Sequence, residues 1–157
     1  MPYQTFYGST DGNGLRIGVV VSRFNEFITE ALSKGALEVL ENHGCPHESI
    51  LFVKVPGAYE LPVVAKAIAP YCDAIVALGA VIRGDTPHFD YVARAASDGL
   101  LRVSLDTGVP IAFGVLTTDD MQQAMDRAGG KGGNKGAEAA EAALEMANLV
   151  KKIQEIR

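Results

Sequence analysis

The segment Arg83-Gly84-Asp85-Thr86-Pro87-His88 joins residue types suited to binding an anion and moving a proton. Gly84, Asp85 and Thr86 lie on a turn that leads into a helix. Backbone N–H groups are free at such a turn, and the helix dipole favours negative charge. With Arg83 beside them they form a candidate phosphate cradle. Asp85 is in tension with that reading, because a carboxylate repels phosphate. It must point away or offer only its N–H. His88 falls in the first turn of the helix and is the candidate proton-transfer group.

Other side chains extend the candidate site. Phe24 and Phe113 are expected to end two different strands and to offer flat surfaces for an aromatic heterocycle. Glu60, just after an apolar strand, either complements a helix dipole or hydrogen-bonds polyol hydroxyls. Arg127 and Lys135 flank the glycine-rich stretch GGKGGNKG and are the remaining basic candidates for a phosphate. That stretch lacks the P-loop spacing before Lys-Ser/Thr, so nucleotide hydrolysis is rejected, and GNGLRI lacks the third glycine of a dinucleotide fingerprint. His43, Cys45 and His47 alternate without carboxylates and with Pro46 between them, so no metal site is expected.

These residues need elements to hold them. Leu15 to Ser22 is apolar and β-branched, as a buried parallel strand should be. Asn25 is expected to cap a helix reaching about His43, with Ile28, Leu32, Gly35, Val39 and Leu40 as its apolar stripe and Gly44 ending it. A second strand spans Ser49 to Val55, broken by Pro56 and Gly57, and a short helix covers about Ala58 to Ala69. Ala74 to Ile82 is the third and most apolar strand. Thr86 is expected as cap and Pro87 as first residue of the next helix, with stripe Val92, Ala96, Gly99 and Val103. Pro110 to Thr117 is the fourth strand. A short helix then runs to about Ala128, with Thr117 and Asp120 at capping-box spacing. The glycine-rich stretch reads as a loop into a last helix ending near Ile156, whose inward face is Ala140, Ala143, Leu144, Ala147 and Val150.

Strand and helix alternate, which means a parallel sheet with right-handed crossovers and helices on both faces. The expected fold is α/β, a flavodoxin-like three-layer αβα sandwich around a four-stranded parallel sheet. It forms one domain over residues 1–157, with residues 1–14 as an N-terminal arm. The arm carries a strand-like piece, YQTFY, suited to pair with the open edge of a neighbouring subunit. Ligands of such sheets bind beyond the C-terminal strand ends, which carry the candidate residues above.

The formal net charge of −5 argues against nucleic acid as the main partner. The N-terminus has neither a basic start nor an apolar core, and no apolar run is long enough to cross a membrane. A cytoplasmic location follows as the expectation, with Cys45 and Cys72 reduced.

RFN at Arg23 to Asn25, VPGAYELP at Val55 to Pro62, ALGAVIRGDTPHFDYV at Ala77 to Val92, PIAFGVLTTD at Pro110 to Asp119 and RAGGKGGNKGAEAA at Arg127 to Ala140 together resemble the lumazine synthase family. The similarity covers nearly the whole chain in the same order. It implies condensation of 5-amino-6-(D-ribitylamino)uracil with 3,4-dihydroxy-2-butanone 4-phosphate to 6,7-dimethyl-8-ribityllumazine in riboflavin biosynthesis, without a cofactor. The resemblance also implies roles. Phe24 would stack on the pyrimidine, and Ala58, Tyr59 and Glu60 would bind the ribityl side. Ala80, Val81 and Ile82 would hold the pyrimidine through backbone groups. Asp85 and Thr86 would sit at the phosphate, and His88 would shuttle protons. Phe113 and Arg127 would come from an adjacent subunit, with Lys135 nearby. It further implies a homo-oligomer built from pentamers, open to closure into a sixty-subunit shell, and riboflavin synthase as a candidate partner.

The chain departs from the family pattern at Ala80, where a hydroxyl residue is often seen, at Asp85, where a small residue is usual, and at GGKGG, where TKAG is common. Two rival readings stay open on the residues alone. A flavin- or lumazine-binding module would keep the aromatics and the anion turn without needing His88. A shell protein would need the arm but neither His88 nor Arg127.

Overall fold

The computed structural model describes residues 2–157. Four strands, β1 (Ile17–Ser22), β2 (Ile50–Val55), β3 (Ala74–Ile82) and β4 (Ile111–Thr118), form one parallel sheet in the order β2-β1-β3-β4. This is the α/β, flavodoxin-like arrangement that the alternation of elements requires. The central strands are buried along their length apart from half-buried Ile82. That burial on both faces is why they read as continuous apolar runs. The edge strand β2 is covered only in part, with Val55 alone buried, and leaves Leu51 and Phe52 exposed.

Helices α1 (Glu26–Asn42) and α5 (Lys135–Gln154) cover one face, where Ile28, Leu32, Leu40, Ala140 and Leu144 meet Val19, Val76 and Leu78. Helices α2 (Leu61–Ile68) and α3 (His88–Thr107) cover the other, where Leu61, Ala65, Ala96 and Leu100 meet Val20, Ile75 and Ala77. Small residues let the helices approach closely. Gly136 of α5 rests on the Leu32 carbonyl of α1 with no room for a Cβ, and a Cβ on Gly99 would come within 2.6 Å of Pro62.

Several local expectations shift. Helix α1 ends as foreseen. The Cys45 N–H donates to Leu40, the Gly44 N–H donates to Glu41, and Gly44 takes φ +88°, so an L-residue would be strained there. Its buried stripe runs through Ser33 and Ala36 rather than Gly35 and Val39, which are half-buried. Helix α3 starts one residue later than expected. Pro87 occupies the cap position, and Thr86 Oγ1 accepts from the His88 N–H at 3.4 Å, so His88 is the first helical residue. Its apolar face takes in Phe89 and Leu100, while Val92 and Gly99 are half-buried.

Before α4 (Met121–Arg127), Thr117 stays in the strand and Asp120 alone is the cap. The Asp120 side chain accepts from the Gln123 N–H at 2.8 Å, and Gln123 Oε1 in turn accepts from the Asp119 N–H at 2.8 Å. The glycine-rich stretch is not a plain loop. It folds into a small antiparallel hairpin, β5 (Ala128–Gly130) and β6 (Gly133–Asn134), closed through positive φ at Gly129 and Gly133. Asn134 then caps α5 by accepting from the Gly136 and Ala137 N–H groups.

The described residues of the N-terminal arm carry no strand within this chain. It lies along α5, where Asn148 Nδ2 donates to the carbonyls of Ser9 and Asp11, and Lys152 Nζ donates to that of Tyr7.

Candidate active site

The cavity that gathers most of the candidates opens beyond the C-terminal ends of β1 and β3. It encloses about 140 Å³ and is lined by Phe24, Asn25, Ala58, Ala80, Val81, Ile82, Gly84, Thr86, His88, Phe89 and Val92. This is the position an open parallel sheet prescribes for a ligand.

One wall is the turn after β1. The N–H groups of Arg23 and Phe24 donate to the carbonyls of Val55 and Pro56, which pins the turn to the neighbouring strand end. Asn25 then takes the left-handed conformation, φ 62° and ψ 51°, the only positive φ of a non-glycine residue among the described residues. Its side chain makes no cap bond, contrary to expectation. Nδ2 donates instead to the Ala80 carbonyl at 3.2 Å. That carbonyl is within reach because β1 pairs with β3 only as far as Val21 opposite Leu78, leaving the next stretch of β3 free on that side. Phe24 stands 69% exposed with its ring open to the cavity, as a stacking surface needs.

The floor is the end of β3. Ala80 and Val81 are buried and Ile82 is half-buried, so the floor offers apolar side chains and backbone polar groups. The anion turn forms the rim. Gly84, Asp85 and Thr86 are all exposed, with Gly84 and Thr86 on the cavity and Asp85 outside its lining. Arg83 faces the other way: its Nε lies 3.1 Å from Asp119 Oδ1 and its Nη1 lies 3.6 Å from Asp90 Oδ1. His88, exposed at the start of α3, completes the rim.

The remaining candidates separate. Ala58 lines the cavity, whereas Tyr59 opens onto an adjoining groove with Tyr91 and Arg94, and half-buried Glu60 turns back toward Gly57. Phe113 does not end its strand. It lies opposite Ala77, early in β4, and is 48% exposed on the sheet's open edge. The apolar run of β4 begins before Phe113 and continues after it, so the expected strand already held Phe113 inside rather than at its end.

Arg127 and Lys135 are not among the residues lining the cavity either. Arg127 Nη1 donates to the Gln123 carbonyl at 3.1 Å, and Lys135 Nζ lies 3.2 Å from Glu138 Oε1. Helix α4 and the hairpin pack into the core of the α1–α5 face, through Ala124 and Ala128. The cavity wall of Ala58, Phe89 and Val92 belongs to the α2–α3 face. One chain therefore presents the aromatic wall, the backbone floor, the anion turn and the histidine, and no Lys or Arg among the described residues lines the cavity.

Phe89 and Val92 are cavity residues that sequence reasoning did not place there, whereas Asn25 was expected at the end of the first strand, as a helix cap. Continuing the α3 stripe one turn back from Val92 and Ala96 reaches Phe89. Nothing in the sequence marks the bond from Asn25 to Ala80. No three or more His, Cys, Asp or Glu side chains among the described residues are arranged to hold a metal ion. No described helix is long and apolar enough to cross a membrane.

The model of the 6,7-dimethyl-8-ribityllumazine synthase family matches residues 14–151, nearly the whole chain.

Proposed function

The chain belongs to the 6,7-dimethyl-8-ribityllumazine synthase family, and on that premise we propose the substrates and the residue roles of its reaction. The protein is a transferase of riboflavin biosynthesis. The substrates proposed for it are 5-amino-6-(D-ribitylamino)uracil and 3,4-dihydroxy-2-butanone 4-phosphate. The 5-amino group condenses with the ketone to an imine with loss of water, phosphate is eliminated, and the ribitylamino nitrogen attacks the remaining carbonyl to close the ring with loss of a second water. Such a sequence needs positioning and proton transfer above all.

The observation that carries this reading is the convergence of Phe24, the β3 backbone from Ala80 to Ile82, and His88 on one cavity. The Phe24 ring stacks on the pyrimidine, and the β3 backbone holds its polar edge. Ala58, with Tyr59 and Glu60 beyond it, receives the ribityl chain. Thr86 and the N–H groups of the anion turn hold the phosphate, beside Asp85. His88 relays protons as the imine forms and phosphate departs.

Because Arg127, Lys135 and Phe113 lie away from the cavity of their own chain, they are proposed to act at a neighbour's. The site would then be complete only in an oligomer, in keeping with the family's assembly. The arm from Tyr3 to Tyr7 would pair with a neighbour's sheet edge. Pentamers are the proposed building block, and a sixty-subunit shell the proposed end point in the cytoplasm, where it could enclose riboflavin synthase. Electron microscopy showing only pentamers or decamers would remove the shell from this reading.

The deciding experiment mixes purified protein with the two substrates, adds no cofactor, and follows lumazine formation by absorbance. Turnover well above the spontaneous background is expected. Tight lumazine or flavin binding without turnover would instead make the protein a carrier.

A further inference from the structure

We propose that Arg83 is a positioning residue that clamps the anion turn and the start of α3 to the β4–α4 turn, and is not itself a phosphate ligand. The proposal rests on the reading that this turn and His88 serve the reaction. Arg83 is tied at both its backbone and its side chain. Its N–H donates to the Thr118 carbonyl at 2.8 Å, extending the ladder between β3 and β4 by one bond. Its guanidinium then reaches Asp119 at 3.1 Å on the turn after β4 and Asp90 at 3.6 Å in the first turn of α3. The same group lies 4.3 Å from the centre of the Phe89 ring. A planar fork that also stacks on an aromatic suits this three-way contact, which an ammonium could only partly reproduce.

The clamp has anchored ends. Asp119 is held by its N–H bond to Gln123 Oε1 at 2.8 Å, within the cap of α4. Phe89 is buried, lines the cavity and follows His88 directly. Between the ends of the clamp lie only Gly84, Asp85, Thr86, Pro87 and His88, all exposed. Arg83 therefore acts with the buried Phe89 ring to set where the anion turn and His88 stand, and its ion pairs are what tie them to the β4–α4 turn.

Charge argues against a direct role at the phosphate. One guanidinium faces two carboxylates, a local sum of −1, and Asp85 adds a further negative charge nearby. The turn has no cation to spare, so the cation that meets the phosphate must come from elsewhere. Exposed ion pairs also contribute little to global stability, so the effect of this one should be local.

The test uses Arg83→Met and Asp119→Asn in the full-length protein, after turnover of the parent has been established. In Arg83→Met, kcat is expected to fall about tenfold through misplacement of the reacting groups. KM for the phosphorylated substrate and the inhibition constant of inorganic phosphate should rise by about threefold, less than kcat falls, because the anion turn is loosened while no phosphate ligand is removed, and the melting temperature should stay within about 2 °C. Asp119→Asn should lower kcat in the same way, and the double variant should be little worse than either single one. Arg83→Lys should recover part of the loss.

A large rise in KM and in the phosphate inhibition constant with kcat retained would make Arg83 a phosphate ligand and overturn the proposal. Unchanged kcat would overturn it too, as would additive losses that track the melting temperature. If Arg83→Met does not fold, Asp119→Asn carries the same readings. Absence of turnover in the parent would sink the underlying reading and, with it, the clamp's part in the reaction.

Discussion

Asn25 Nδ2 donates to the Ala80 carbonyl at 3.2 Å, so the turn that carries Phe24 and the strand end that forms the cavity floor are tied together. The left-handed backbone of Asn25 costs an ordinary residue about 1–2 kcal/mol, and the bond returns about 0.5–1.5 kcal/mol. Asn25→Gly relieves the first term and loses the second, so its stability should stay within about 1 kcal/mol of the parent. Asn25→Ala keeps the strain without the bond and should cost about 2 kcal/mol. In both variants KM for the pyrimidine should rise, because Phe24 and Ala80 are no longer coupled. Urea unfolding beside steady-state kinetics checks this, and a pyrimidine KM unchanged in Asn25→Gly would show that the tie is only structural.

His88→Ala should lower turnover while leaving lumazine binding largely intact. General acid–base groups contribute on the order of 10²-fold or more, but His88 is exposed and water can substitute in part, so a loss of about 10- to 100-fold is expected. Binding titration with lumazine separates this from a folding defect. Subunits carrying His88→Ala and Arg127→Ala, refolded together, should regain part of the activity that each lacks alone. No recovery would count against a site shared between chains.

Asp85 places a carboxylate beside the turn proposed to hold phosphate. Removing it as Asp85→Ala should tighten the phosphorylated substrate about three- to tenfold at low salt and leave the pyrimidine KM unchanged. The gain should shrink as ionic strength rises, because exposed charges are screened over about 10 Å at 0.1 M. Kinetics at two salt concentrations check it, and weaker phosphate-substrate binding in the variant would mean that Asp85 helps to shape the turn.

Gly136 of α5 rests against the Leu32 carbonyl of α1, with no space for a Cβ. Gly136→Ala must push the two helices apart, at a cost of about 2 kcal/mol or more, although alanine is the better helix former. A variant as stable as the parent in urea would show that this crossing can shift freely.

Cys72 packs against Gly18, and its thiol is pushed up to about 11, first by burial and then by the adjacent Asp73, with Arg16 partly opposing. An acid with a raised pKa keeps its proton, so iodoacetamide at pH 8 should label Cys72 about 100-fold more slowly than an ordinary thiol, with the rate climbing as pH rises. The folded state holds this proton more tightly than the unfolded chain does. Cys72 should therefore withdraw stability as pH rises from 9.0 towards about 11. Rapid labelling at pH 8 would contradict that environment.

The sheet and its four covering helices were legible in the residues because each is set by local pattern. Ala74–Ile82 reads as a central strand because burial on both faces requires an unbroken apolar run. Gly44 reads as the end of α1 because an L-residue is strained in the left-handed conformation. The anion turn and His88 were visible because a helix start follows directly on a strand end. The hairpin at Ala128–Asn134 was not visible, since glycines weaken a strand signal while permitting the turn that closes one. Other features depended on residues far apart in sequence. The order of strands put β4 at the sheet edge, so Phe113 lies there rather than at the cavity. The end of β1–β3 pairing left the Ala80 carbonyl free for Asn25, and only packing of the β4–α4 turn against the start of α3 gave Arg83 its two carboxylates. Residue type and spacing report local conformation and burial, whereas hydrogen-bond partners across the sheet depend on distances that exist only once the chain has folded.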